Sequence, residues 1–167
     1  MKRHLGIRAA LVLGSLAAFM AVGLAAAQSV PKVGSGDIVA DRKRLMKLNW
    51  ASLADLQAKA KAGNIEAIAV NAETIALNSM HIPTLFPPGS ATGNTRARAD
   101  IWQKWAEFEN AAKNLQTLAE KLRDAAQAKD AASVEATVKI FGKQGCGRCH
   151  LPMADGTLFG PHFRSLE

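Results

Sequence analysis

The stretch KIFGKQGCGRCHLP, residues 139–152, contains both cysteines of the 167-residue chain and one of its four histidines. Cys146, Cys149 and His150 stand at i, i+3 and i+4, so on a helix all three project from one face. Two thiols and an imidazole aimed the same way suit one flat object. A haem takes the thiols as thioethers on its vinyl groups and the imidazole as an iron ligand, and CxxCH is the attachment signature of c-type haem. A thioredoxin-type disulfide belongs in a βαβ context, and no convincing period-two run occurs in this sequence. A zinc site needs a fourth ligand, usually from a second Cys/His pair. Beyond residue 27 only His81 and His162 remain, neither with a paired neighbour. A reactive thiol pair without metal would leave His150 unexplained.

Upstream of this stretch the pattern is helical throughout. Val134, Val138 and Phe141 form a stripe leading into Cys146, in a segment starting at Asp130 or Ser133. Before it, Ile101, Trp105, Phe108, Ala112, Leu115, Ala119 and Leu122 lie along one face of a segment that Asp100 is placed to cap. Ile65, Ile68, Ala69, Ala72, Ile75 and Ala76 mark a second helix with Asn64 as its cap. The first helix runs from Asp37 to Ala62, with Val39, Arg42, Met46, Leu53 and Leu56 among its residues and Gly63 as its stop. Between the second and third segments, HIPTLFPPGSATGNTRARAD (residues 81–100) carries Pro83, Pro87, Pro88, Gly89 and Gly93, which cannot continue a helix. It reads as a long loop anchored by Leu85 and Phe86. Four amphipathic helices with short first and third links predict an all-α, antiparallel up-down-up-down four-helix bundle.

Residues 1–27 read as a secretory signal: Lys2, Arg3 and Arg8, an apolar run from Leu11 to Leu24, then Ala25-Ala26-Ala27 as the cleavage site. The apolar run is shorter than the roughly 20 residues of a membrane span. Cleavage after Ala27 leaves about 140 residues, enough for one core and too few for two. A lead, residues 28–36, precedes the helical domain of residues 37–150, and a tail of residues 151–167 comes after it. The chain's formal charge is +7, and the leader accounts for three of the cations, leaving a mature excess of about four. Lysines and arginines alternate with acids and form no long basic run, so no nucleic-acid role is expected. They read as solvated helix faces that help dock an acidic partner.

With these residues assembled, the chain resembles the class II c-type cytochromes, the cytochrome c-prime family, over nearly all of residues 37–150. The likeness rests on CxxCH near the C-terminus, on DRKRLMKLN in the first helix, and on LFPPGS followed by RADIWQKWAEFENAA. It implies a four-helix bundle with one covalent haem c near the C-terminal helix. Cys146 and Cys149 would be the tethers and His150 the proximal iron ligand. The family's distal residue lies four places after an arginine, here Arg42 and Met46. LMKLN looks like the low-spin branch in which this methionine binds iron, and the shared face of Arg42 and Met46 lets Arg42 meet a propionate. In the high-spin branch a bulky apolar residue only crowds that face. Met46 as a core filler is the plainer alternative, and a solvated side chain is that for Arg42. Met80 is expected in core or loop, Trp102 and Trp105 in the bundle or on a haem edge, and Trp50 half-exposed.

The resemblance implies a periplasmic electron carrier, not an enzyme, serving a periplasmic or membrane-bound redox partner, with a homodimer as an expected assembly. A five-coordinate haem protein that binds nitric oxide or carbon monoxide is the other reading. The tail departs from the family. Family members have an aromatic and an arginine close after CxxCH, whereas twelve residues separate His150 from Phe163 here. Pro152 predicts a helix break after His150. The insertion LPMADGTLFGPH is similar to the Gly-Pro stretch of class I cytochromes and adds Met153 and His162 as rival ligands.

Overall fold

A computed structural model describes residues 34–150 of the chain. The expected signal, most of the expected lead, and the tail with Pro152, Met153 and His162 lie outside the described residues.

The first helix, α1 (Ile38–Lys61), begins where the Asp37 carboxylate accepts hydrogen bonds from the Val39 and Ala40 N–H groups at 2.9 and 3.1 Å. These satisfy donors that a helix start otherwise leaves unpaired. It ends in a Schellman motif: the Gly63 N–H reaches the Ala60 carbonyl at 3.1 Å and the Asn64 N–H reaches Lys59 at 2.9 Å. Gly63 takes a φ of 74°, which a side chain would resist. Asn64 therefore finishes α1 and does not cap the second helix as expected. A 3₁₀ turn, Glu66–Ile68, leads without a side-chain cap into α2 (Ala69–His81).

The proline loop opens with a 3₁₀ turn, Pro83–Leu85, and Phe86 is buried behind it. Asp100 is the first residue of a single turn, α3 (Asp100–Gln103), and not its cap; it pairs instead with Arg98 at 3.2 Å. Lys104, at φ −119° and ψ 49°, breaks the chain direction before α4 (Trp105–Gln127). The break separates a turn tied to the loop, through the Trp102 indole N–H on the Phe86 and Pro87 carbonyls at 3.1 and 3.2 Å, from a helix packed on the bundle. Asp130 then caps α5 (Ala131–Ile140), accepting from the Ser133 N–H at 3.1 Å and its hydroxyl at 2.6 Å.

The last rod is not one uninterrupted α-helix. Residues Phe141–Cys146 form a π turn, which leads into α6 (Gly147–His150). Four rods result: α1, α2, α4, and α5 continued through the π turn into α6. All the secondary structure of the described residues is helical, and the rods form the four-helix bundle expected from the sequence. Asn49 in the middle of α1 pairs with Asn78 near the end of α2, and Asp55 further along α1 pairs with Asn71 near the start of α2, so those two helices run antiparallel.

The core is a single cluster. Leu56, Ile68, Ala72, Ala119, Leu122, Ala126 and Phe141 are fully enclosed in it. Alanines on α2 and α4 let these rods approach closely, while leucines and isoleucines fill the layers between them. Met80, expected in core or loop, is instead exposed at the end of α2 because it lies off that helix's buried stripe of Ala72, Ile75, Ala76 and Ser79.

Candidate haem site

The far end of the bundle holds a cavity of about 630 Å³. Its walls come from α1 (Val39, Arg42, Met46, Leu53), from the loop (Phe86, Thr95, Ala97), from α4 (Phe108, Ala111, Ala112, Leu115) and from the last rod (Gly145, Cys146, Cys149, His150). Its lining is mostly apolar, and its volume is that of a sizeable organic cofactor. Arg42, Met46, Cys146, Cys149 and His150 thus face one space although more than a hundred residues of chain separate the first from the last.

The π turn sets how the last rod meets this space. At about 100° per residue, an uninterrupted α-helix would carry Cys146 about 120° and His150 about 160° away from the Val134 stripe. One extra residue accommodated in a widened turn rotates the downstream residues back by about 100°, leaving Cys146, Cys149 and His150 within about 60° of the stripe. The core stripe and the CxxCH face thereby point the same way. Asn114 of α4 donates its amide to the Gln144 carbonyl within the widened turn at 2.6 Å. Gly145 is buried in this turn, where a Cβ would meet Leu115 Cδ1 at 2.9 Å, so glycine allows the rod's close approach to α4.

Both thiols are half-buried and free. Burial pushes Cys146 up to about 11 and Cys149 up to about 12, the latter aided by the neighbouring Cys146. Without the cofactor they are therefore neutral thiols at physiological pH. Among the described residues no group of three or more His, Cys, Asp or Glu is arranged to hold a metal ion, so the zinc alternative gains no ligand set there.

Arg42 is buried, with its guanidinium 4.1 Å over the Phe86 ring. It donates to the Leu85 carbonyl, to the Ser90 carbonyl at 2.9 Å and to the Ser90 hydroxyl. Ser90 in turn donates to the Pro87 carbonyl. Three of its five N–H donors are thus bound to the loop, and the residue also lines the cavity. Desolvation lowers its pKa, yet a guanidinium stays charged at any ordinary pH. Phe86 makes an edge contact with Phe108 at 5.0 Å, and Trp105 packs on Phe108 at 5.6 Å, so the aromatics support the wall formed by the loop and α4. Trp50 is 41% exposed at the rim.

The residues fit a haem. Tethering thiols, an imidazole and a large apolar slot occur together, and Ala111 and Ala112 stand where bulky side chains would fill the slot. The alanine pair was readable as a gap in the Phe108–Leu115 stripe. Lys43, Lys47 and Arg96 also line the cavity, and nothing in the sequence singled them out from the other dispersed cations.

Comparison with known proteins agrees with this geometry. The family model described as Cytochrome C' matches residues 37–152. Cytochrome c-556 of Agrobacterium tumefaciens is 35% identical over 115 residues, which is 67% of this chain and 92% of that protein. Cytochrome c prime from Shewanella frigidimarina superposes with a TM-score of 0.64 at 26% identity, over 75% of this chain and 95% of the other. A nitrosyl complex of a variant of cytochrome c prime from Alcaligenes xylosoxidans superposes at 0.61 with 26% identity, over 69% and 92%. The chain, a four-helix bundle whose C-terminal CxxCH faces an apolar slot suited to covalent haem c, belongs to the cytochrome c′ family.

Proposed function

We propose that this haem protein is a periplasmic one-electron carrier in which His150 and Met46 are the axial ligands of a haem tethered through Cys146 and Cys149. The observation that carries the reading is that Met46 and His150, from the first and last rods, line the same slot. The haem supplies the iron that gains and loses one electron. The chain's part is to hold that iron between two neutral ligands on rigid helices, so that little reorganises when the charge changes. A thioether opposite an imidazole raises the reduction potential relative to harder ligands. The mostly apolar lining keeps water from the iron, and among the described residues no aspartate or glutamate lines the slot to transfer a proton. Export through the leader would bring the chain to the compartment where CxxCH receives haem.

The test is the ferric optical spectrum of the purified holoprotein. Six-coordinate low-spin haem with a weak red charge-transfer band is expected for the wild type, and Met46→Ala is expected to shift it to high spin. An unchanged spin state in that variant removes Met46 as the ligand. A second reading, reversible binding of nitric oxide or carbon monoxide at an open iron site, draws support from the nitrosyl complex of the Alcaligenes relative. A wild-type spectrum that is already five-coordinate selects it. Osmotic-shock fractionation tests the periplasmic location.

A further inference from the structure

The slot's mouth carries a charge pattern that cofactor binding does not account for. Four cationic side chains line the cavity, Arg42, Lys43, Lys47 and Arg96, and among the described residues no aspartate or glutamate does. Arg42 is bound to the loop, whereas Lys43, Lys47 and Arg96 are exposed. None of these three is in an ion pair among the described residues, although ion pairs engage Arg44, Lys59, Arg98, Arg123, Lys129 and Lys139 elsewhere. A haem brings two carboxylates, so the lining keeps a positive surplus when the slot is filled. Lys43, Lys47 and Trp50 stand at i, i+4 and i+7 and form one ridge of α1 along the rim. An exposed indole beside cations is the composition of an interface anchor, with charge to steer the approach and an aromatic to be buried on contact.

We infer that Lys43, Lys47, Trp50 and Arg96 form the docking surface for an acidic redox protein, which meets the carrier at the mouth of the haem slot. The inference rests on the electron-carrier reading. With haem bound, the exchange would pass one electron from the reduced cofactor to the partner's one-electron acceptor, with no proton or covalent bond transferred. The surface suits a transient complex, in which a small contact area is offset by electrostatic attraction that speeds encounter. A protein is favoured over a lipid surface because the ridge offers a single aromatic and no continuous apolar stripe for a bilayer to take up.

The test uses the full holoprotein, after haem content and redox cycling have been verified, since failure at that stage rejects the carrier reading itself. Stopped-flow oxidation of the reduced protein is followed with anionic hexacyanoferrate(III) and with cationic tris(phenanthroline)cobalt(III) from low to high salt. Steering at the mouth predicts that the anionic oxidant is slowed about tenfold or more by salt and the cationic one is not. Lys43→Glu with Lys47→Glu should abolish that preference, while Lys61→Glu with Lys121→Glu, the same net-charge change away from the slot, should retain it. Poly-L-glutamate should inhibit oxidation by hexacyanoferrate competitively in the wild type and not in the mouth variant. Trp50→Ala should weaken that inhibition without changing the spectrum. Equal effects of the two double variants, or no salt dependence, overturn the proposal. So does competition by phosphatidylglycerol vesicles in place of poly-L-glutamate, which would make the surface a lipid site.

Discussion

Arg42 does more in the structure than its sequence position announces. Its spacing to Met46 was readable, because i and i+4 share a helix face. Its partners were not, because the carbonyls of Leu85 and Ser90 lie more than forty residues away in a loop whose backbone carries no label. The guanidinium fork binds that loop through separate N–H groups and stacks on Phe86, a geometry that lysine cannot reproduce. Arg42→Lys and Arg42→Gln are both expected to lose about 2–3 kcal/mol in urea denaturation. Limited proteolysis should then cleave within residues 86–99, where the wild type resists. The residue signals with local chemistry, Cys146, Cys149 and His150, were legible because their whole message is contained in five consecutive positions.

Among the elements, the π turn was the least visible. The stripe Val134, Val138, Phe141 was correctly helical, but the step from Phe141 to Cys146 is five residues, where an α-helix repeats in three or four. That interval was the only available sign, since a widened turn has no residue signature of its own. Inserting one alanine after Lys143, an exposed residue of the turn, adds a residue that the turn does not absorb and should swing the CxxCH face about 100° from the slot. Covalent haem, read as the pyridine haemochrome, should be lost while far-UV circular dichroism stays helical. Lys143→Ala, which keeps the residue count, should carry haem normally. The caps show the opposite case: Asp37 and Gly63 were placed correctly, whereas Asn64 and Asp100 were not. A capping residue type is common to starts, stops and first turns, and only the backbone decides among them. Asp37→Ala is expected to cost about 1 kcal/mol, measured by thermal or urea unfolding.

For the whole molecule, one end of the bundle is a closed core around Phe141 and Leu56, and the other is built around a space. The four-helix architecture was legible because the apolar periods and the proline loop agree with it. The space was less so, since a void is signalled only by small residues such as Ala111 and Ala112. The haem-free chain should therefore be the weaker state, and its stability should depend on alkaline pH. Thiols raised from 9.0 to about 11 and about 12 stay neutral in the fold but ionise earlier when unfolded. Their contribution is fully present below pH about 9 and disappears as pH rises through about 11 and 12. Urea midpoints of the apoprotein should fall across that interval, and those of a Cys146→Ala, Cys149→Ala double variant should fall less. In the holoprotein, where both sulfurs are thioethers, this pH dependence should vanish.

The widened turn also divides the last rod into two modules with independent rules. Up to Gly145, substitutions answer to the fit against the hydrophobic interior and α4; from Cys146 onward, they answer chiefly to the cofactor. A ten-residue cassette comprising residues 141–150 is thus a portable unit: spliced after the final core turn of another antiparallel bundle, it brings its own rotational correction with it.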